Sequence, residues 1–111
     1  MPDFKPRKVK FKAWNTSTRL VMRLSSIDCN KGELIKKDHV LLQFTGLCDI
    51  DGVEIYDQDV LLISSEKFLV YWNEETNGWY YHSLTNDSNR EPFVVAVAVR
   101  MKRFCSFFEL K

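Results

Sequence analysis

Phe68-Leu69-Val70-Tyr71-Trp72-Asn73-Glu74-Glu75-Thr76-Asn77-Gly78-Trp79-Tyr80-Tyr81-His82-Ser83-Leu84 is the stretch whose reading decides the fold class. Two runs rich in aromatic and β-branched residues, 68–72 and 79–84, flank a polar segment ending in Asn77-Gly78. Asn and Gly adopt positive φ at low steric cost, so the stretch predicts a β-hairpin turning near that pair. Just upstream, Val60-Leu61-Leu62-Ile63 is a continuous apolar run, which suits a strand buried on both faces. Downstream, the polar segment 85–91 is followed by Pro92. Phe93, Val95, Val97, Val99 and Met101 then alternate with Val94, Ala96, Ala98, Arg100 and Lys102, which predicts a long strand. The tail, Phe104 to Leu110, is aromatic for a terminus and is expected to dock rather than fray.

Period-two patterning continues toward the N-terminus. Val9, Phe11 and Ala13 alternate with Lys8, Lys10 and Lys12, the pattern of a half-buried strand with a basic outer face. After the turn-like Asn15-Thr16-Ser17-Thr18, Leu20, Met22 and Leu24 alternate with Arg19, Val21 and Arg23. The two runs read as a hairpin whose outward cations share one face. Residues 25–39 are polar, contain Gly32 and read as a loop with at most a helical turn. Val40 to Phe44 is a short strand leading into Thr45-Gly46, and Asp51-Gly52 is a second turn signal. Strands with little helical pattern predict an all-β chain, a compact barrel-like or sandwich domain.

A chain of 111 residues has room for one core, so residues 1–111 are expected to form a single domain. The net charge of +1 gives no global attraction to nucleic acid or anionic membrane, although bases crowd residues 5–12 and acids crowd residues 49–59. Cys29, Cys48 and Cys105 are odd in number and widely spaced, as expected of reduced thiols in a cytoplasmic protein rather than a disulfide framework. No apolar run approaches the roughly 20 residues of a membrane-spanning helix, so no membrane partner is expected.

Two segments carry a family resemblance. Lys10-Phe11-Lys12-Ala13-Trp14-Asn15 is similar to an opening K-F-R-A-W-D. Gln43-Phe44-Thr45-Gly46-Leu47-Cys48-Asp49-Ile50-Asp51-Gly52-Val53-Glu54-Ile55-Tyr56-Asp57-Gln58-Asp59-Val60 resembles Q-x-T-G-L-x-D-x-x-G-x-E-I-Y-E-G-D-I-V. Both patterns belong to the YopX-like proteins of phages and prophages. Asn15 stands where the family pattern has Asp, and Gln58 where it has Gly. The resemblance is strong over residues 9–63 and weak afterwards. It implies a barrel-like all-β domain in the cytoplasm of a bacterial host, and it carries over no catalytic residues.

The residues themselves suggest scaffold before chemistry. Gly46 and Gly52 mark positions where the chain can reverse, and Asp57 and Asp59 can accept backbone N–H bonds at a bend. Asp49-Ile50-Asp51-Gly52 lacks the Gly and Glu spacing of a calcium loop. His39 and His82, the only histidines, sit in no catalytic motif, and nothing local would activate Cys48. No cofactor, metal or enzymatic activity is expected. Two binding readings remain. Lys8, Lys10, Lys12, Arg19 and Arg23 could touch nucleic-acid phosphates. Trp72, Trp79, Tyr80, Phe104, Phe107 and Phe108 could meet a protein partner or a second copy, since aromatic residues exceed the needs of one small core. The protein-binding reading leads.

Overall fold

The computed structural model describes residues 7–86 and 88–110. Its strands, in chain order, are β1 (Phe11–Asn15), β2 (Leu20–Arg23), β3 (Asp28–Asn30), β4 (Glu33–Ile35), β5 (His39–Cys48), β6 (Glu54–Tyr56), β7 (Asp59–Ile63), β8 (Glu66–Asn73), β9 (Gly78–Ser83), β10 (Glu91–Pro92) and β11 (Lys102–Ser106). A single helical turn, α1 (Val95–Ala98), precedes β11, and a 3-10 turn (Phe107–Glu109) follows it. The chain is nearly all β, with a curled, half-barrel sheet.

Two antiparallel sheets carry the fold, in the orders β2-β1-β5-β6 and β10-β9-β8-β7-β11. The β8–β9 hairpin forms as the sequence predicts, with Trp72 opposite Trp79, Asn73 opposite Gly78, and Asn77 at φ 53°. On one face of this sheet Leu61, Phe68, Val70 and Tyr81 are cross-strand neighbours. Ile55, Leu61, Val70, Phe93, Ala98 and Met101 form the core, and Phe68, Trp79, Tyr81 and Val97 pack around it. Val60 and Leu61 are both fully buried, as the apolar run predicts, whereas Leu62 is half-buried and Ile63 is 38% exposed.

Three local expectations are corrected. Residues 25–39 hold the β3–β4 hairpin, reversed at Lys31-Gly32, whose φ values of 51° and 84° are the positive pair that a type I′ turn requires. Thr45-Gly46 does not reverse the chain. Gly46, at φ 89°, lies inside β5 at a register shift between Phe44 and Cys48, so it serves a bulge. Residues 93–101 are not a strand, because the chain turns helically at α1 and buries Phe93, Ala98 and Met101. Phe93, Val97 and Met101 satisfy a four-residue step as well as a two-residue one, and core packing selects the former. The tail docks as expected: β11 pairs with β7, and Phe108 stacks on Trp14 at 5.3 Å.

Candidate functional site

The segment 43–60 ties the two sheets together. Asp49 is buried, and its Oδ1 accepts the backbone N–H groups of Asp51 and Val53, both at 2.8 Å. Its Oδ2 accepts the N–H of Arg103 on β11 at 2.7 Å. Burial works against this carboxylate, but the three N–H donors outweigh it and hold its pKa below the usual range. Asp59, also buried, takes the N–H of Tyr56 at 2.8 Å together with Nε and Nη2 of Arg103 at 3.0 and 3.3 Å. Burial pushes the Asp59 carboxyl up, against the pull of Arg103 and Tyr56. Among the described residues no buried side-chain polar atom lacks a partner. These acids are engaged by backbone and by Arg103, which is how a scaffold uses them.

The cations named from alternation do not share one outward face. Lys12 lies directly opposite Leu42, which is 1% exposed, so the lysine side of β1 is a packed side. Ala13, on the opposite side of the strand, is also fully buried. Lysine tolerates this placement because its stem is apolar and only its head needs a polar partner. Lys10 Nζ finds Glu54 at 2.6 Å, and that hydrogen bond is the main cause of the lowered Glu54 pKa. Lys12 Nζ sits 4.5 Å from the Tyr56 ring centroid. Desolvation lowers the Lys12 pKa, with the Arg103 charge adding to it. Arg19 leaves the row at φ 59° and lies over Trp14, 5.8 Å from its ring centroid. Lys8 and Arg23 are exposed. Leu20 and Met22, at 60% and 38% exposed, are not the buried side of β2.

Two clefts open beside this hairpin. One, of about 490 Å³, is lined by Lys10, Phe11, Arg23, Ile27, Glu54 and Tyr56 among others. The other, of about 240 Å³, is lined by Lys12, Val21, Met22, Arg23, Arg103 and Glu109. Arg103, Glu54 and Tyr56 are site residues that sequence reasoning did not place there. Their approach to β1 depends on sheet topology, for which local spacing holds no signal.

The aromatic residues separate into core and surface. Trp79 packs against the core, edge-on to Trp72, which is 40% exposed. Phe108 is half-buried against Trp14. On the face of the five-stranded sheet away from Phe68 and Val70, half-buried Tyr80 meets Tyr71, and Tyr71 meets His82. Lys67 belongs to the same face as Tyr71, and its Nζ lies 5.4 Å from the centroid of the Phe104 ring. Phe104 and Phe107 are 49% and 41% exposed.

His39 Nδ1 lies 2.7 Å from the Lys37 carbonyl, and His82 Nδ1 lies 2.9 Å from that of Ser83. Burial raises the Cys105 thiol pKa, the direction away from a reactive thiolate. Among the described residues no helix is long and apolar enough to cross a membrane, and no group of three or more His, Cys, Asp or Glu side chains is arranged to hold a metal. No curated protein matches the chain. A family model described as YopX protein matches residues 7–99, a span that takes in the sheet-linking segment and the aromatic hairpin. The chain therefore belongs to the YopX family.

Proposed function

We propose that this is a non-catalytic accessory protein of a phage or prophage, acting in the bacterial cytoplasm by binding protein, first of all a second copy of itself. The observation that carries the reading is the exposure of Phe104 and Phe107, at 49% and 41%, on the sheet whose outer face carries the Tyr71–Tyr80 row. Exposed aromatic surface of this kind favours burial against a partner. Charge supports a two-fold arrangement. Lys67 and Lys102 both register with Leu62 at one end of the face, while Glu74 and Glu75 occupy the hairpin turn at the other. Antiparallel copies would set each acidic turn against the basic end of its mate.

Light scattering from micromolar to millimolar concentration tests this. The mass should climb from that of the 13.1 kDa monomer toward a dimer, and Phe104→Ser or Tyr80→Ser should hold it at the monomer. A monomer at every concentration contradicts the proposal.

A further inference from the structure

The smaller cleft on the other sheet concentrates positive charge in a way that the fold alone does not require. Lys12 and Arg23 are direct cross-strand partners in the β1–β2 ladder. Like charges at such a position destabilise the pairing. Among the described residues neither has a carboxylate within ion-pair distance, whereas Lys10 on the same strand has Glu54. Arg103 closes the cleft from β11 as a third cation, and its guanidinium is held in place by two bonds to Asp59. Glu109, the one acid in the lining, faces Arg103 rather than Lys12 or Arg23: its Oε1 accepts the Ser106 N–H at 2.8 Å and lies 4.0 Å from Arg103 Nη2. Lys12 is held over Tyr56 and half-buried, so its charge is poorly screened.

We infer that Lys12, Arg23 and Arg103 form a binding site for the phosphate group of a small phosphate monoester. Lys12 and Arg23 supply the charge. The Arg103 guanidinium, its own charge met by Asp59 and Glu109, adds pre-oriented donors to the same cleft, and together they suit the multiple acceptors of a phosphate. An anion seated between Lys12 and Arg23 turns their repulsion into attraction. Arg23 also lines the cleft of about 490 Å³, which has the size of an ordinary small-molecule pocket. Phe11, Ile27 and the Tyr56 ring provide its apolar lining, and Ser25 and Ser26 its hydroxyls. A nucleoside monophosphate would place its phosphate in the small cleft and its base and sugar in the large one. Desolvation is the main cause of the lowered Lys12 pKa, and the charges of Arg103 and Arg23 add to it against the opposing pull of Asp59 and Glu109.

The test follows chemical shifts and melting temperature of the full chain with inorganic phosphate, adenosine monophosphate, adenosine and a short single-stranded DNA, at constant ionic strength. Phosphate and the monophosphate should shift the Lys12, Arg23 and Arg103 amides saturably and raise the melting temperature, with adenosine alone much weaker. Arg23→Gln should weaken monophosphate binding by roughly tenfold or more, as expected on losing a charge-assisted contact. Arg23→Lys should retain part of it. Without phosphate, Arg23→Gln should melt no lower than the parent, because it removes a repulsion, so loss of binding cannot be attributed to unfolding. Three results would overturn the inference: no saturable phosphate effect, an equal effect in Arg23→Gln, or binding of the DNA when phosphate and the monophosphate do not bind.

Discussion

Asp49 shows how much of the acidic segment is architecture. Asp49→Asn replaces an oxygen that accepts the Arg103 N–H with a group that in one orientation donates, and it removes the charge that three donors stabilise. The expected cost at neutral pH is about 1–3 kcal/mol, read from denaturant unfolding. The folded-state pKa lies below the unfolded value of about 3.9, so this stabilisation is fully present above that value and is lost as pH falls through the folded pKa. The gap between parent and variant should therefore close below about pH 4, and a gap that stays constant into strong acid would contradict the assignment. Gln58 is the complementary case. At φ 66° it occupies the left-handed region in which the family pattern has Gly. Its N–H donates to the Val70 carbonyl at 2.9 Å and its carbonyl accepts from Phe107 N–H at 2.7 Å, so the backbone depends on this conformation. Gln58→Gly keeps both bonds and relieves about 1–2 kcal/mol of left-handed strain, less the roughly 0.5–1 kcal/mol that glycine adds to unfolded-state entropy. The melting temperature should rise modestly, and a fall would show that the Gln58 side chain contributes more than its long 3.4 Å contact to Asp57 suggests.

Among the elements, β3 and β4 form a two-stranded sheet of their own whose residues are all exposed. An isolated hairpin of this kind is only marginally stable in water. Replacing residues 28–35 with a short Gly-Ser linker should change unfolding free energy by less than about 1 kcal/mol, since little buried surface is lost. A larger drop would mean that the arm packs on the body of the protein. The same element shows where sequence reading fails. The β8–β9 hairpin was readable because Asn77-Gly78 and the flanking β-formers state turn and strand within one local stretch. Lys31-Gly32 makes an equally local reversal, but the strands around it are only three residues long, too short for a period to emerge. In 93–101 two periods coexist, and only the core that receives Phe93, Ala98 and Met101 separates them. Alternation gives the lysine row of β1 the right period and a buried Ala13, but not the packing of the lysine side itself. Both faces of that strand pack, and the partners that accept the lysine heads, Glu54 and Tyr56, lie more than 40 residues away along the chain. Arg103 was out of reach for the same reason.

At the scale of the whole molecule the two sheets divide the work. The β2-β1-β5-β6 sheet gathers cations around small clefts, and the β10-β9-β8-β7-β11 sheet shows an aromatic face to its surroundings. The Asp59–Tyr56 and Arg103–Asp49 bonds join them, and Asp59 pairs with Arg103 within the five-stranded sheet, so β11 is coupled to the clefts through Arg103. Part of this arrangement, Arg103 with Phe104 and Phe107, lies beyond the 7–99 span matched by the family model. The proposed self-association would run through the aromatic face of the five-stranded sheet. Hydrogen exchange measured on the same chain at low and at high concentration tests it most directly, because it locates the contact instead of only detecting mass. The account predicts added protection at high concentration in β8, β9, β11 and the 3-10 turn, with the β2-β1-β5-β6 sheet and the β3–β4 arm unchanged. Exchange that is identical at both concentrations, or protection gained only around β1 and β2, would contradict it.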